Sequence, residues 1–392
     1  MGRVKAEMQS YYDKGFSKPP DKHVCSNHFT DDSIIEFIDD NSVKATCSYC
    51  SLRYQNGQAI LLEDLIEFLN EGIRHFYGDP NDEGVGYDSS EGGWIGTEIY
   101  DAYDLISDEI LLDIDNSELQ NDIIRSFSDQ QWCIRDPYQL PEHQELSMDW
   151  NRFSEIVKHK IRYSFFRTEE FDLGNNKALS HILNDIANGV EALSLIKTLD
   201  LDVKIIRCRQ HESAKKIIKF EHITAPPDNC ANQPNRMSPA GISMFYGSFD
   251  KSTAKKETIN LSKVRDLPFL TFGYFSLKRP LQVIDFTNLP EIPSIFDATK
   301  RKQHYLIIFF HKFVDELSKE IYEDGREHVE YVPTQILTEY FKYIFYQLTN
   351  NQIEGIVYKS SKSEKGKCVV FFMDNKSSSK YLKLDKTTYL EL

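Results

Sequence analysis

The spacing of hydrophobic residues changes near the middle of the chain. Before about residue 200 they recur every three or four positions, which is the spacing of one helix face. In the segment LLEDLIEFLNEGIRHFY this pattern predicts a helix that buries Leu62, Leu65, Ile66, Leu69 and Ile73. The same spacing predicts helices in AYDLISDEILLDI, RFSEIVKHKIRYSFF and LSHILNDIANGVEALSLIKTL.

After residue 200 the apolar residues form short β-branched or aromatic runs, which Gly, Pro, Asn or Ser interrupt. These runs predict strands in VKIIRCR, GISMFYG, FLTFGYFSL, LQVIDFT, IEGIVYKS, KCVVFFM and KYLKL. Two longer segments, YLIIFFHKFVDELSKEIY and VPTQILTEYFKYIFYQL, predict helices, and Pro333 suits the first turn of the second. Because strands and helices do not alternate strictly, the predicted fold class is α+β.

With 392 residues, the chain is long enough for two or three domains. We predict a zinc-binding segment at 1–58, a helical domain at 59–200 and the α+β domain at 201–392. The net charge of −15 argues against a broad nucleic-acid surface, which is normally basic. No apolar run is long enough to span a membrane, and the first residues do not resemble a signal peptide. The seven cysteines, an odd number, favour a reducing compartment, so the expected location is cytoplasmic.

Two short-spaced pairs of metal-ligand residues lie near the N-terminus, Cys25-x-x-His28 and Cys47-x-x-Cys50. Each pair can place two ligands on the same side of an ion, and four protein ligands satisfy a tetrahedral zinc. Because no position is left for a reactive water, we interpret the site as structural. The alternative is a cluster of thiols without a metal, and His23 is a less well-spaced substitute ligand.

The stretch RMSPAGISMFYGSFDKSTAKKE contains Arg236, Tyr246 and Glu257. Arg236 follows a Pro/Asn-rich loop and is expected to be exposed and mobile unless it binds something, Tyr246 ends a predicted strand, and Glu257 closes a predicted first helical turn. Considered alone, these positions favour an exposed arginine, a core tyrosine and a glutamate at a helix N-terminus or paired with lysine.

The same stretch resembles the core motif of the RES domain, the toxin domain of RES–Xre toxin–antitoxin pairs. Arg236, Tyr246 and Glu257 are ten and eleven residues apart, as in that family. IIRCR, LQVIDF, YVPTQILTEY and IEGIVYKS are similar to other family segments in the same order, and together they cover roughly 201–392. The N-terminal half resembles the zinc-containing, HEPN-like segment found before many RES domains, in which the first metal pair is often Cys-x-x-Cys.

The resemblance implies a fold related to ADP-ribosyltransferases and cleavage of the nicotinamide–ribose bond of NAD⁺. By that resemblance Arg236 would hold the pyrophosphate, Tyr246 would contact nicotinamide or its ribose, and Glu257 would stabilise the positive charge that develops at C1′. The family's Tyr-x-Ser pattern selects Ser360 for a hydrogen bond to phosphate or ribose. Arg209 is a further candidate for such a contact.

The resemblance leaves the acceptor open between water, phosphate and a protein side chain. Hydrolysis or phosphorolysis would deplete NAD⁺, as in a toxin or phage-defence enzyme, whereas transfer to protein would be ADP-ribosylation. The expected partners are NAD⁺, an Xre-like antitoxin or another regulator, and a second copy of the chain as a homodimer. Two rival interpretations are a non-catalytic interaction module and a HEPN ribonuclease that uses Arg152 and His159.

Overall fold

The computed structural model describes residues 11, 14–50, 58–164, 177–213, 215, 217–319, 321 and 325–392. Contacts between residues group the chain into two units. The first contains 1–141 and 292–305, and the second contains 142–291 and 306–392. This grouping differs from the predicted segments 1–58, 59–200 and 201–392, because the helices between residues 142 and 192 pack in one core with the strands that follow them.

The first unit combines helices with three small antiparallel sheets. In chain order its elements are β1 (His23–Val24), α1 (Asp32–Asn41), β2 (Val43–Lys44), β3 (Gln58–Leu61), α2 (Leu62–Phe76), β4 (Tyr77–Gly78), β5 (Gly86–Asp88), β6 (Gly93–Ile95), a π-helix (Asp104–Glu109), α3 (Ser117–Ser126) and β7 (Cys133–Ile134). The sheets are β1-β3-β2, β4-β7 and β5-β6. Helix α1 begins where the Asp31 carboxylate accepts the backbone N–H groups of Ser33 and Ile34, which satisfies two donors that a helix start leaves unpaired.

Helix α2 confirms the first periodic pattern, because Leu62, Leu65, Ile66, Leu69 and Ile73 are all buried. The helix predicted in AYDLISDEILLDI is wrong in kind, because its regular part is the π-helix Asp104–Glu109. The wider i to i+5 turn places Leu105 and Ile106 in the core while the acidic residues around them stay at the surface.

The segment 292–305 completes the core of the first unit through Phe296, which is 3% exposed. Its ring lies so close to Gly72 that an added Cβ at that glycine would be 2.5 Å from Phe296 Cδ1. The Phe68 ring is also near, with 6.2 Å between ring centroids. The glycine therefore gives α2 a notch that receives the phenyl ring.

The second unit is built on an eight-stranded sheet with helices packed against it. In chain order its elements are α4 (Glu142–His159), α5 (Leu179–Ala192), β8 (Ile196–Leu199), β9 (Lys204–His211), α6 (Phe220–Ile223), β10 (Phe245–Ser248), α7 (Lys251–Thr258), β11 (Phe269–Leu277), β12 (Leu281–Asp285), α8 (His304–Ser318), α9 (Glu327–Glu330), α10 (Val332–Tyr343), α11 (Phe345–Thr349), β13 (Gly355–Lys359), β14 (Lys367–Phe371), α12 (Asn375–Tyr381) and β15 (Leu382–Glu391).

The strand order is β15-β11-β9-β10-β14-β13-β12-β8, and all neighbours are antiparallel except β12 and β13. Strands β9 and β11 pair along the whole of β9, but β9 and β10 share one register pair, Ser248 with Ile206. The sheet therefore has a three-stranded and a five-stranded part that diverge beyond this pair. Phenylalanines of α8, α10 and α11 and apolar residues of α4 and α5 form the largest part of the adjoining core.

Each predicted strand segment contains an observed strand, and FLTFGYFSL coincides with β11, but Lys380 and Tyr381 of KYLKL belong to α12 and GISMFYG is strand only from Phe245. The helix predicted for LSHILNDIANGVEALSLIKTL is too long, because α5 ends at Ala192 and β8 follows. Ser194 has a φ of 52°, which turns the chain out of the helix, and Ile196–Leu199 then pairs with β12. Phe165 and Phe166 of RFSEIVKHKIRYSFF, with Glu320 and Tyr322 of YLIIFFHKFVDELSKEIY, lie outside the described residues.

The mixed helices and strands confirm the α+β class, with a helical N-terminal region. In the part of the chain that the structure describes, we find no helix that combines the length and the apolar character needed to cross a membrane.

Replacing Phe296 with alanine should lower the free energy of unfolding by about 3–5 kcal/mol, because it empties a packed site in the first unit. Ile292→Ala is the matched control: it lies in the same segment, is 48% exposed, and should change stability by no more than about 0.5 kcal/mol. Urea unfolding of the full chain, followed by tryptophan fluorescence, measures both. Equal unfolding curves for the two variants would show that the segment does not complete this core.

Candidate active site and metal centre

A cavity of about 930 Å³ lies in the second unit where β9 and β10 diverge. The predicted site residues Arg209, Arg236, Tyr246 and Glu257 all line it. Ser360 is only 8% exposed and does not line the cavity, but its neighbour Ser361 does. The structure therefore brings together side chains from two strands, a helix and two loops that are far apart in the sequence.

Tyr246 is the second residue of β10, so the prediction that it ends a strand is wrong. The strand continues because Gly247 and Ser248 also pair with β14. The Tyr246 hydroxyl lies 2.9 Å from Ser238 Oγ. Burial raises the pKa of this tyrosine, which keeps it a neutral phenol. It therefore offers an aromatic surface and a hydroxyl, without a charge, to the cavity.

Glu257 lies near the C-terminal end of α7, so the prediction of a first-turn position is wrong. The helix begins earlier than predicted because Asp250 caps it, accepting from Thr253 N at 2.8 Å and from Thr253 Oγ1 at 2.6 Å. The helix dipole therefore does not stabilise the Glu257 carboxylate, since only the N-terminal end of a helix attracts negative charge. A side-chain hydrogen bond holds the carboxylate instead.

That hydrogen bond comes from Ser360, whose hydroxyl donates to Glu257 Oε1. Ser360 directly follows β13, and its Oγ also accepts the backbone N–H of Lys362 at 3.2 Å. The serine therefore orients the carboxylate. Its expected contact with phosphate or ribose stays a prediction.

Three guanidinium groups line the cavity, and backbone carbonyl oxygens hold each of them. Arg207 Nη1 donates to the Tyr246 carbonyl at 2.6 Å, and Arg209 Nη1 donates to the His222 carbonyl at 2.6 Å. Arg236 donates to the Leu317 carbonyl and, at 2.7 Å, to the Lys319 carbonyl. These bonds hold Arg236, which is half-buried, at the C-terminal end of α8, so the condition under which it was expected to be exposed and mobile is not met.

A neutral carbonyl fixes the direction of a guanidinium without cancelling its charge. Among the described residues, no carboxylate lies within ion-pair distance of Arg207, Arg209 or Arg236. Burial lowers the pKa of Arg207 to about 10, so the group remains a cation at neutral pH. Among the described residues that line the cavity, arginines and lysines outnumber the two carboxylates, Glu257 and Glu327, so this part of the wall is positive although the chain as a whole is negative.

Arg207 was not among the predicted site residues, although a signal for it exists in the sequence. Arg207 and Arg209 are two positions apart in β9, which places both side chains on one face of the strand. A charged pair inside the apolar run IIRCR is unusual for a buried strand. Tyr358 and Cys368, which pair with each other across β13 and β14, also line the cavity, and burial raises the pKa of the Cys368 thiol to about 12.

The Cys/His cluster lies in the first unit, where one ligand atom each from Cys25, His28, Cys47 and Cys50 come within 4.8 Å of one another. The neighbouring Cys25 thiol lowers the pKa of Cys47, and Cys25 Sγ lies 3.4 Å from Cys50 Sγ. His28 Nε2 lies 3.4 Å from the Sγ atoms of both Cys47 and Cys50. Three sulfurs and one imidazole are a donor set that zinc prefers, so these four residues can hold a structural zinc ion.

Asp115 supports this cluster from a distant part of the sequence. Its Oδ1 lies 2.6 Å from His28 Nδ1, so Nδ1 carries the proton and Nε2 is directed towards the cysteines. Burial lowers the pKa of His28, but the hydrogen bond to Asp115 and the contact with Cys47 outweigh it, and the net shift is upward. No sequence pattern predicts this pair, because Asp115 belongs to no ligand motif.

The ribonuclease candidates Arg152 and His159 lie on α4 in the second unit. Arg152 donates to the Lys177 carbonyl and lies 3.7 Å from Asp149 Oδ1. His159 is exposed and lies 4.0 Å from Glu155. Arg152 therefore contacts neighbouring groups, whereas the His159 side chain lies at the surface.

Comparison with family models matches residues 205–388 to the RES domain and residues 40–171 to HEPN/RES N-terminal domain 1. The cavity residues from Arg207 to Cys368 lie inside the RES match, and Cys47 and Cys50 lie inside the N-terminal match. The chain is therefore a RES-domain protein, which confirms the predicted resemblance. More particularly, it is a RES-domain protein with a HEPN/RES N-terminal domain. Comparisons with curated proteins and with solved structures give no significant match.

We expect one zinc ion per chain, measured by elemental analysis, and its loss in Cys47→Ser. Asp115→Asn should weaken zinc binding by about 10–100-fold in competition with a chromogenic chelator, because His28 loses the partner that orients it. Asp113→Asn is the matched control, since that carboxylate instead accepts from Thr30 Oγ1 at 3.1 Å. Equal zinc affinity for the two variants would contradict the role of Asp115.

Proposed function

We propose that the RES domain of this chain breaks the nicotinamide–ribose bond of NAD⁺. The observation that carries the proposal is a single cavity in which Glu257 lies with carbonyl-anchored guanidinium groups and with the rings of Tyr246 and Tyr358. The family assignment supports it, because a RES domain is consistent with the toxin of a toxin–antitoxin pair and with an NAD⁺-related enzyme.

The positive wall suits the pyrophosphate of NAD⁺. A guanidinium that is buried without a carboxylate is costly to maintain, and an anionic ligand would offset that cost. Arg207 and Arg236 are half-buried and Arg209 is exposed, and we assign all three to the pyrophosphate. The carbonyl bonds hold the groups in place before the ligand arrives, so little conformational entropy is lost on binding.

The Glu257 carboxylate then stabilises the positive charge that develops on the ribose. The bond between C1′ and the nicotinamide nitrogen breaks with both electrons going to the nitrogen, so nicotinamide leaves as a neutral molecule and needs no proton. Positive charge develops on C1′ and the ring oxygen, and a nearby carboxylate stabilises it. The hydrogen bond from Ser360 fixes the direction of that carboxylate, which is the role we assign to the serine.

The acceptor decides the product. Capture by water, with loss of a proton, gives ADP-ribose; capture by phosphate gives ADP-ribose phosphate; capture by a protein side chain gives an ADP-ribosylated protein. We propose hydrolysis or phosphorolysis, which would deplete NAD⁺ and act as a toxin or defence activity. Because such an activity would harm its host, the proposal includes an Xre-like antitoxin or another regulator.

Purified full-length chain should consume NAD⁺, and Glu257→Ala should lower the rate by about 10²–10³-fold, because the developing charge loses its stabilising carboxylate. Separation of the products, with and without phosphate and with added protein, identifies the acceptor. Glu364→Ala is the matched control, since Glu364 is exposed and does not line the cavity.

Turnover in Glu257→Ala equal to wild type would contradict the assigned role of the carboxylate. Failure of wild type to consume NAD⁺ would contradict the proposed activity of the isolated chain. RNA decay that depends on His159 would favour the ribonuclease interpretation instead.

Arg207→Met should weaken NAD⁺ binding by about 10–100-fold, because it removes a charge-assisted contact to phosphate while keeping the side-chain volume. Calorimetry in the Glu257→Ala background measures binding without turnover. Arg279→Met is the matched control, since Arg279 pairs with Glu354 away from the cavity. Unchanged affinity in Arg207→Met would show that the pyrophosphate lies elsewhere.

A further inference from the structure

A second cavity, of about 490 Å³, lies in the second unit along one face of α10. Cavities of this size commonly bind small organic molecules. Its other walls are the loop from Pro234 to Ala240 and the pair Arg162 and Tyr163 that follows α4. We call it the α10 groove. None of the residues predicted from the sequence as catalytic or metal-binding lines it.

The α10 groove is largely apolar. Val332, Ile336 and Tyr340 are spaced by four residues along α10 and form one stripe in the groove lining, in which Ile336 is accessible while Val332 and Tyr340 are buried in the core beneath it. Tyr163, which is 92% exposed, and Tyr343, which is 58% exposed, add two accessible aromatic rings to its lining. Lys342 Nζ already lies 4.9 Å from the centroid of the Tyr343 ring, so that ring can contact the apolar body of a ligand, and the Tyr163 ring can contact both an apolar body and a cation.

Among the described residues, Glu339 is the one carboxylate that lines the groove. Burial raises its pKa, and the charge of nearby Lys342 offsets only part of that effect. Among the described residues, no cationic atom lies within ion-pair distance of this carboxylate. Arg162 also lines the groove, but it donates towards the Lys158 carbonyl at 3.5 Å. A half-buried carboxylate in an apolar site is complementary to a ligand cation, which would restore the interactions that burial removed.

The loop from Pro234 to Ala240 separates the α10 groove from the candidate active site, and Pro234 lines both cavities. Gln335, on the groove side, donates to the carbonyls of Asn235 at 2.8 Å and Ser238 at 3.2 Å. On the other side, Ser238 Oγ lies 2.9 Å from the Tyr246 hydroxyl. Hydrogen bonds therefore connect the wall of the groove to a residue of the active-site cavity.

We infer that the α10 groove is a binding site for an amphipathic organic cation with an aromatic body, and that its occupation is coupled to the active-site cavity through this loop. The ammonium group pairs with Glu339, and the aromatic body packs between the stripe of α10 and the tyrosine rings. A ligand that moves the loop also moves Ser238, and with it the hydrogen bond to Tyr246.

Tryptamine is a suitable probe, because its neutral isostere tryptophol carries a hydroxyl in place of the ammonium group. Calorimetry on the full-length chain should give a tryptamine Kd of about 1 mM or tighter, as expected for a fragment of this size. Tryptophol and the anion indole-3-propionate should bind at least about tenfold more weakly, because neither can pair with Glu339.

Glu339→Gln should weaken tryptamine binding by about tenfold and leave tryptophol binding unchanged. Glu155→Gln is the matched control, since Glu155 is an exposed glutamate of the same unit outside the groove. Ala240→Trp provides a second variant: Ala240 is exposed, so the new ring should fill the groove mouth without disturbing the core, and it should abolish binding of tryptamine.

The coupling has its own readout, which rests on the proposed function. In the Glu257→Ala background, saturating tryptamine should change the affinity for NAD⁺, and Glu339→Gln should remove that change. Absence of tryptamine binding up to about 10 mM, or equal binding of tryptamine and tryptophol, would overturn the site. Tryptamine binding without any effect on NAD⁺ affinity, in a chain that binds NAD⁺, would overturn the coupling alone.

Discussion

The arrangement of the RES domain depends on the short pairing between β9 and β10. A central strand normally forms hydrogen bonds along its whole length, but here the two strands share one register pair and then separate. Beyond that pair, buried backbone groups need other partners. Arg207 is the hydrogen-bond donor for the Tyr246 carbonyl. The side chain that lines the cavity therefore also joins the two parts of the sheet. The early separation of β9 and β10 therefore both opens the cavity and leaves a carbonyl that the charged Arg207 side chain binds.

The cavity is positive in a strongly acidic chain because its arginines are anchored to carbonyl oxygens and not to carboxylates. An ion pair would orient a guanidinium equally well, but it would also neutralise it. At the surface this chain uses such pairs freely, as between Lys22 and Glu118 or between Lys204 and Asp385. Inside the cavity the arginines instead bind carbonyl oxygens and keep their charge, which makes the site complementary to an anionic ligand.

Sequence patterns predict the structure correctly where they depend on residues that are close together in the chain. The helical face of α2, the strand FLTFGYFSL and the two metal-ligand pairs each depend on residues a few positions apart, and each lies where the pattern placed it. The apolar pattern predicts helix through the four residues of β8, whereas pairing with β12, more than eighty positions further along the chain, makes them a strand. The pattern also predicts a later start for α7 than the cap at Asp250 sets, which is why Glu257 lies near the end of the helix and not in its first turn.

The remaining errors concern contacts that no local pattern can encode. Ser360 and Glu257 are 103 residues apart, and His28 and Asp115 are 87 residues apart. The family resemblance names both residues of the first pair, and the metal motif names only His28 of the second, but in neither pair does the sequence predict the contact that orients the side chain. A carboxylate must face C1′ from a defined direction to stabilise positive charge, and an imidazole must present Nε2 to bind a metal between cysteines. Under the proposed function, residue type therefore supplies the reactive group, whereas the fold supplies its direction through a partner from a distant segment.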